Sequence, residues 1–325
     1  MPERGAFGRM LRALAVSPGP SSAVSIGADH VSVVQLARGS GPPQLAGYAR
    51  VGLPDGAVTP SITGQNIQDA QAVNGAVDEA LRQLPRRPPR VALVMPDGAA
   101  KVSIIRFDEP PIRVADLDEL IRWQVGGSAP FRLDEAQLAW TPGVRDDAGA
   151  QSFVTVLARR DVVKEYEAVC DAVAARAGVA DLACINLLNA ALARGAGDDG
   201  GDWMLVQTVG DAASIAIVRS DRLLFFRHMP ADGGRVEDLV HQTVMYYQDR
   251  LGGRGLMRAL IVGEGHVDTV IAERLPELPT ERLVDRLAPL MDDRGAGGTA
   301  PLELLAAPIG ILLRDRSRAV EMPAA

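Results

Sequence analysis

The chain has 325 residues, of which 47% are hydrophobic and 23% charged, and its formal net charge is −7. This composition is typical of a globular protein of about two domains. The acidic balance, with no stripe of basic and aromatic residues, argues against nucleic acid as a partner, and no apolar run approaches the ~20 residues that a membrane span needs.

The first residues, 1–21, carry three arginines and a short apolar register of Phe7, Met10, Leu11 and Leu14. They lack the small-residue cleavage site of a signal peptide. We interpret them as an N-terminal tail. The alternative is a short amphipathic helix that touches a membrane or a partner.

Two stretches share a pattern of apolar strand, glycine turn and returning strand. They are AVSIGADHVSVVQLAR at 23–38 and WMLVQTVGDAASIAIV at 203–218. Backbone N–H groups at such a turn can form an anion-binding concavity, although the simpler interpretation of either unit alone is a plain β-hairpin. Two such units in one chain indicate a duplicated fold with a cleft between the halves.

The pattern after the first hairpin predicts a third strand at 44–53, a helix at 69–84 and a buried strand at 91–95. Three strands, a helix and a strand is the order of a ribonuclease-H-like half. Further along, the pattern predicts a strand at 152–158 and two helices, at 161–177 and 182–194. Gly178 is expected to close the first of these helices, and the acidic stretch 195–202 to be a linker.

A stretch of different texture, about 99–150, interrupts this half. Its predicted elements are a strand at 101–107, a helix at 114–125 and a strand at 137–140. Asp116 is the expected cap of the helix. Trp123 lies at the edge of the apolar face of the helix, and we interpret it as core rather than partner surface. The stretch is predicted to be a small α+β insertion.

The second half continues with a strand at 222–228, helices at 236–251 and 267–274, and a buried strand at 259–262. A loop is expected at 294–299. An apolar helix at 302–314 is expected to dock back onto the first half.

The sequence shows no familiar catalytic or metal motif. It contains no Gly-x-Ser-x-Gly, Walker A or His-Glu-x-x-His pattern. The four histidines, His30, His228, His241 and His266, lack zinc-ligand spacing. Cys170 and Cys184 are interpreted as reduced, buried residues of a cytosolic protein.

Several stretches, in their order, resemble the PilM family of type IV pilus assembly proteins and, more distantly, FtsA and the cytoplasmic part of GspL. Besides the first hairpin they include VALVMP, KVSIIRFDEPP, FVTVLARRDVVKEYEAV, LVQTVG, LLFFRHMPADGG and LAAPIGILLR. Together they cover nearly all of residues 22–316.

The resemblance implies an α/β, actin-like (ribonuclease-H-like) fold of two domains, with the small α+β insertion in the first. The expected parts are a tail at 1–21, a first domain at 22–198, a reduced second domain at 199–300, and a returning helix with a tail at 301–325. Family members bind ATP in the interdomain cleft. They also bind the cytoplasmic N-terminal tail of PilN, a bitopic membrane protein, against the first domain and its insertion.

Departures from the family fall in the cleft. Ser25 and Ser32 stand where the first phosphate turn of the family has Asp and Lys, and Thr208 stands where the second turn has Asp. Because Mg²⁺ prefers carboxylate oxygens, these losses indicate a vestigial nucleotide cleft. The lobe that covers the nucleotide in the family is also missing, since Gly233 and Gly234 run directly into the next helix. The resemblance assigns to this cleft Gly27, Ala28, Asp29, His30, Gly210, Asp211, Gly263, Glu264 and Gly265.

We therefore expect a non-catalytic scaffold, a pseudo-ATPase without cofactor or metal, that binds a PilN-like tail from the cytoplasm at the inner membrane in a pilus or secretion machine. Trp123, Phe131 and Trp140 are the candidate partner-binding residues, or else all three are insertion core. One alternative is an assembly protein that binds ATP and Mg²⁺ or weakly hydrolyses ATP, with Asp29 or Asp211 replacing the lost carboxylates. Another is a small-molecule kinase of the same superfamily, for which no catalytic Asp is evident. Self-association stays open.

Overall fold

A computed structural model describes residues 19–37, 43–146, 148–219, 221–263, 267–290 and 302–320, with side chains up to residue 314 in the last range. Its strands are β1 (Ser22–Ile26), β2 (His30–Leu36), β3 (Leu45–Gly52), β4 (Arg90–Met95), β5 (Ala100–Phe107), β6 (Ala136–Arg145), β7 (Gln151–Arg159), β8 (Arg176–Leu182), β9 (Asp202–Val209), β10 (Ala212–Arg219), β11 (Arg222–Met229), β12 (Leu256–Val262) and β13 (Thr280–Arg282). Its helices are α1 (Ala70–Arg82), α2 (Val114–Gly126), α3 (Arg160–Ala172), α4 (Ala183–Ala193), α5 (Val236–Arg250), α6 (Val267–Arg274), α7 (Leu283–Leu287) and α8 (Leu302–Val320).

Two sheets with the same topology form the frame of the molecule. The first has the strand order β3-β2-β1-β4-β8 and the second β11-β10-β9-β12-β13. In each sheet an antiparallel hairpin is followed by strands that run parallel to its first strand. Both predicted hairpins and the duplication of the fold are therefore confirmed.

The local sequence explains the helix α1, which connects β3 to β4. Asp69 caps α1, because its side chain accepts a hydrogen bond from the Ala72 N–H. Val73, Val77 and Leu81 recur at helical spacing and are buried against the first sheet. The strand β2 is buried along its whole length, which suits its run of β-branched residues.

The predicted helix at 161–177 is wrong in its second part. The helix α3 ends at Ala172, and Ala174 then takes a positive φ of 56°. Residues 176–182 form β8, which pairs in parallel with β4, so Gly178 lies within a strand and closes no helix. Pairing with β4 satisfies the backbone of this stretch and overrides its Ala-rich, helix-favouring composition.

The insertion is a three-stranded antiparallel sheet, β5-β7-β6, covered by α2. Leu117, Ile121 and Val125 lie on the buried face of the helix and pack against the sheet. The predicted cap at Asp116 is wrong: Arg113 occupies the cap position and makes no side-chain capping bond. The inserted sheet also contacts β11, the edge strand of the second domain.

A continuous apolar core joins the two domains. The helices α4 and α8 lie in it between the two sheets, so the expected docking of the last helix on the first half is confirmed. Gly310 allows α8 to approach closely, because a Cβ there would lie only 1.8 Å from the Asn186 carbonyl oxygen of α4. Among the core residues are Ala23 and Val34 of the first sheet, Leu205 and Leu260 of the second, and Leu305 and Ile309 of α8.

Two predicted segments lie outside the described residues, and two observed elements were not predicted. The loop at 294–299 and the first 18 residues of the tail lie outside the described residues. β13 and α7 were not predicted, since a three-residue strand shows no recognisable alternation. Residues 230–235 alone separate β11 from α5, in agreement with the direct entry predicted from Gly233 and Gly234.

Candidate functional site

Parallel strands place the predicted cleft residues at corresponding ends of the two sheets. β1 and β4 run in parallel, as do β9 and β12, so the residues that follow each pair of strands lie together at the carboxyl ends of the strands. In open α/β sheets, ligands bind at these carboxyl ends. The turns that follow these strands are therefore the candidate site.

The first turn, Gly27–Asp29, is closed on itself. The Gly27 N–H donates to the His30 carbonyl oxygen at 2.9 Å. The Asp29 carboxylate lies 2.7 Å from Nδ1 of the buried His30, although the Asp29 side chain is 61% exposed. One N–H that could have faced a phosphate is thus already used, and a carboxylate lies beside it. Ala28 completes the turn.

The second turn is a two-residue hairpin loop. Gly210, with φ of 55°, and Asp211 connect Val209 to Ala212, which are paired in the sheet. Glycine at the first of the two loop positions is typical of a type II′ hairpin. Both loop residues are exposed. A plain hairpin accounts for all of these features.

The third turn is filled by the chain itself. Gly263 has φ of 118°, and a Cβ there would lie 2.2 Å from the Thr208 carbonyl oxygen. Its N–H donates to the Glu303 carboxylate of α8 at 2.9 Å. The turn therefore packs against the end of β9 on one side and against α8 on the other. Glu264 and Gly265 lie outside the described residues.

An arginine fixes this arrangement. Arg282 at the end of β13 donates to the Glu303 carboxylate at 2.6 and 2.8 Å, to the Asp268 carboxylate at 2.7 Å and to the Gly263 carbonyl oxygen at 2.6 Å. Charge-assisted bonds of this kind are stronger than neutral ones. The third turn of the predicted cleft is thus held by an internal ion-pair network.

Ser32, which stands where the family has a lysine, also forms a hydrogen bond to α8. It is fully buried, and its hydroxyl donates to the Leu304 carbonyl oxygen at 2.9 Å. Pro308, one helical turn later, has no N–H for that carbonyl. The serine hydroxyl takes the place of the missing helical bond.

A buried polar cluster that the sequence interpretation missed lies at the end of β4. Asp97, only 5% exposed, accepts one hydrogen bond from the Cys184 N–H at 2.9 Å and another from the Ser214 hydroxyl at 2.7 Å. The Ser214 oxygen lies 3.0 Å from Nδ1 of His228. Because Asp97 and Cys184 belong to the first domain and Ser214 and His228 to the second, the cluster joins the two.

The pKa values of two groups in this cluster, Asp97 and His228, are shifted. Burial raises the pKa of Asp97, and the hydrogen bonds from Cys184 and Ser214 only partly offset that effect. Burial also lowers the pKa of His228. The serine lies between the carboxylate and the imidazole, so the order is not that of a Ser-His-Asp nucleophile. The one sequence signal was an aspartate two residues after an apolar strand.

The three candidate partner residues separate into two groups. Trp140 and Phe131 pack against the insertion core, and the Trp140 indole donates to the Asp118 carboxylate at 2.9 Å. Arg122, and then Trp140, lower the pKa of Asp118 by hydrogen bonding. Trp123 is 75% exposed, so its interpretation as core is wrong. It lies about 200° around the helix from the buried Ile121.

Among the described residues, no group of three His, Cys, Asp or Glu side chains is placed to hold a metal ion. In the same part of the chain, no helix combines the length and apolar character needed to cross a bilayer.

Comparisons with known proteins show which proteins this chain is similar to. The family model described as type IV pilus assembly protein PilM matches residues 23–249. No curated protein matches the chain. A solved PilM-PilN type IV pilus biogenesis complex matches with a TM-score of 0.76 and 15% identity, over 94% of this chain and 100% of that chain, which shows the fold.

Two further structural matches are weaker. One is the cytoplasmic domain of EpsL, an inner membrane component of the type II secretion system of Vibrio cholerae, with a TM-score of 0.48 and 7% identity over 93% of this chain and 95% of that chain. The other is a Bacteroides thetaiotaomicron protein with an actin-like ATPase fold and unknown function, with a TM-score of 0.49 and 9% identity over 84% and 96% of the two chains.

Proposed function

The chain belongs to the PilM family of type IV pilus assembly proteins and has an actin-like α/β fold, and from this membership we propose that it is a binding scaffold that does not hydrolyse ATP. Its proposed partner is the cytoplasmic N-terminal tail of a PilN-like bitopic inner-membrane protein. That partner would hold it at the cytoplasmic face of the inner membrane, in a pilus machine or a related secretion machine. The support for this partner is a similar structure described as a PilM-PilN complex.

The observation that carries the proposal is a set of unpartnered apolar side chains on the insertion. Ile112, Val114 and Trp123 are 100%, 69% and 75% exposed. Trp123 lies on the face of α2 opposite to its buried face, and Ile112 and Val114 lie where the chain enters the helix. Exposed aromatic and aliphatic residues of this kind are typical anchors for a bound peptide.

The cleft geometry supports the lack of catalysis. The Gly27 N–H and the Gly263 N–H are both bonded within the chain, to His30 and Glu303. A nucleotide bound at the third turn would have to displace the Glu303 carboxylate from Arg282 and Gly263. Such a displacement would break several charge-assisted bonds.

A second candidate function is ATP binding. Asp29 and Asp211 are exposed at the two hairpin turns, and their carboxylates are the ligand type that Mg²⁺ takes in proteins. In that case the nucleotide would bind at the two hairpin turns and leave the Glu303 network intact.

Partner binding is tested by titrating the full chain with a synthetic peptide of the N-terminal tail of the PilN-like protein encoded beside it. We expect binding, and we expect Trp123→Ala to weaken it about tenfold or more. Met245→Ala is the matched control, because Met245 is an exposed apolar residue of α5 in the second domain. Equal affinity of the wild type and W123A would place the peptide elsewhere, and no binding at all would contradict the proposed partner.

Nucleotide binding is tested by calorimetric titration with ATP and Mg²⁺. We expect no heat of binding at millimolar ATP. Saturable binding that Asp29→Asn or Asp211→Asn abolishes would establish the second candidate function instead.

A further inference from the structure

The strand β3 forms one edge of the first sheet and is paired on its inner side with β2. The Leu53 N–H donates to the Asp29 carbonyl oxygen at 2.7 Å, so these two residues form a hydrogen-bonded pair. Bonded positions alternate along an antiparallel pair, so the residues of β3 that bond to β2 are Gly47, Ala49 and Val51. The residues that direct their backbone N–H and C=O groups away from β2 are Tyr48, Arg50 and Gly52. We call these last three residues the open edge.

The backbone groups of the open edge make no hydrogen bond to any residue that the structure describes. A row of free N–H and C=O groups at the edge of a sheet is a template on which another strand can pair. The other edge strands in the described ranges are protected. β13 has only three residues, β6 contains Pro142 and a break in register, β5 and β11 contact each other, and β8 carries charges at Arg176 and Asp181. Short length, proline, cover and charge all oppose the addition of a strand, and the open edge has only the charge of Arg50.

An open hollow of about 460 Å³ lies between the open edge and α1. Val51 and Gly52 line it from the strand, and Ala72 and Gly75 line it from the helix. Neither glycine has a positive φ, and a Cβ built on either would meet no heavy atom within 4 Å. Neither backbone conformation nor internal packing therefore requires glycine at these two places. Glycine within a helix or a strand costs stability, and within a strand it often marks a site where another backbone approaches closely. The two glycines keep the hollow clear for a chain that approaches the open edge.

Two carboxylates, those of Asp69 and Glu79, also line the hollow. Neither has an ion-pair partner among the residues that the structure describes, and the Asp69 side chain accepts the capping bond from the Ala72 N–H. Val51 packs on the same side of the sheet as α1, and directly opposite residues of two paired strands share a face. A lysine or arginine opposite Val51 would therefore enter the hollow, with its apolar stem over Ala72 and its charge near Glu79. The charge of the hollow thus favours a basic side chain.

We propose that the open edge binds an extended, basic segment of another protein, which adds to β3 as a further strand of the first sheet. Backbone hydrogen bonds to the open edge supply the affinity, and a lysine or arginine in the hollow supplies the selectivity. A second copy of this chain fits less well, because two-fold pairing of β3 with β3 would bring the carboxylates of both α1 helices together. The open edge belongs to the first sheet and Trp123 to the insertion, so this contact does not depend on the proposed PilN-like partner.

The test is a titration of the full chain, followed by fluorescence anisotropy, into a labelled synthetic peptide with blocked ends and the sequence Thr-Val-Thr-Lys-Thr-Val-Thr. This peptide favours the extended conformation and has its lysine on one face. A matched peptide has glutamate in place of the lysine. We expect saturable binding of the lysine peptide, and binding of the glutamate peptide that is weaker by roughly fivefold. Hydrogen exchange of the chain should slow at the amides of Tyr48, Arg50 and Gly52 when the lysine peptide is bound.

A proline at the open edge tests the backbone contact. Arg50→Pro removes an outward N–H and leaves the bonds between β2 and β3 in place, so it should weaken peptide binding by roughly tenfold or more. Arg50→Ala is the matched control, because it removes the same charge and keeps the N–H, and it should bind as the wild type does. Cooperative urea unfolding would show that R50P folds. Gly75→Leu fills the hollow without altering the strand, so it should give a similar loss even if R50P does not fold.

Charge reversal tests the selectivity of the hollow. Glu79→Arg should weaken binding of the lysine peptide and strengthen binding of the glutamate peptide, each by roughly two- to fivefold. Glu119→Arg is the matched control, since Glu119 is an exposed glutamate of α2 in the insertion, and it should leave both affinities unchanged.

Three results would overturn the proposal. One is an absence of saturable binding by either peptide. Another is equal affinity of the lysine peptide for the wild type, a folded R50P and G75L. The third is a concentration-dependent dimer of the wild type, seen by sedimentation velocity and lost in R50P, which would make a second copy of this chain the occupant of the open edge.

Discussion

The Ser32 hydroxyl donates to the Leu304 carbonyl oxygen at 2.9 Å, across 272 residues of sequence. That carbonyl would normally accept from the N–H four residues later, but residue 308 is proline. The first domain thus completes the hydrogen bonding of the helix that packs between the domains. Ser32, which stands where the family has a lysine, is therefore part of an internal contact.

This bond can be measured by a double-mutant cycle. Ser32→Ala leaves the Leu304 carbonyl oxygen without a donor and should lower the free energy of unfolding by about 1–2 kcal/mol. In a Pro308→Ala background the helix supplies its own N–H, so the same change should cost clearly less. Urea unfolding of the four proteins gives the coupling energy. Identical costs in the two backgrounds would mean that Pro308 has no part in the role of Ser32.

Asp97 should be the most stability-sensitive carboxylate of the cleft. Asp97→Ala leaves the Cys184 N–H and the Ser214 hydroxyl without their acceptor in a buried place, and should cost about 2–4 kcal/mol. Asp97→Asn keeps one acceptor and should cost less. Asp134→Ala is the control, because Asp134 is exposed and its one ion pair among the described residues is with Arg132, so its loss should leave stability almost unchanged. A D97A protein as stable as D134A would show that the domains do not depend on this contact.

The pH dependence of stability should report His228. Its pKa is lowered by burial, so as pH falls below 6.5 the unfolded chain takes up a proton that the folded chain refuses. Stability should therefore fall as pH falls from about 6.5 towards the lowered pKa. Asp97 acts with the opposite sign, because its raised pKa makes the folded chain hold a proton that the unfolded chain has released, and this stabilisation is lost as pH rises through the raised value.

His228→Asn should flatten the change in stability below about pH 6.5. Denaturant midpoints measured at several pH values compare the variant with the wild type. His241→Asn is the control, since His241 is an exposed residue of α5. The same slope in H228N and the wild type would contradict the assignment to His228.

Gly263 should tolerate no side chain. Gly263→Ala puts a Cβ 2.2 Å from the Thr208 carbonyl oxygen at a φ of 118°, and should cost about 3 kcal/mol or more. Gly75→Ala is the matched control: it lies in α1 with no heavy atom near the new Cβ, and should stabilise by about 0.5–1 kcal/mol. Thermal unfolding midpoints that shift in the same direction for both variants would show that the third turn is loosely packed.

The frame of the fold could be predicted because each element carries a local signal. β-branched residues mark both hairpins, and helical spacing marks α1 and α5. The end of α3 could not be predicted, because the Ala-rich composition of the stretch after Ala172 favours helix and only its pairing with β4 overrides that preference. Trp123 was misplaced for a similar reason. The packing of α2 against the inserted sheet fixes which face is buried, and composition alone does not.

The candidate site was predicted in outline and missed in its contacts. The three turns lie at the carboxyl ends of strands, where the resemblance puts them. What fills them comes from far along the chain: Glu303 is 40 residues from Gly263, and Ser214 is 117 residues from Asp97. A single serine or glutamate has no periodicity, so its partner becomes visible only in three dimensions.

The position of α8 constrains how the protein can be made. Ribosomal synthesis releases both sheets before residues 302–313, yet those residues fill the space between them. Until they emerge, Val34 and Leu205 lack part of the apolar cover that they have in the finished molecule. A nascent chain that is stalled or terminated before Leu302 would expose apolar surface on both sheets. Because such surface favours aggregation, this protein should depend on chaperones during translation more than its size suggests.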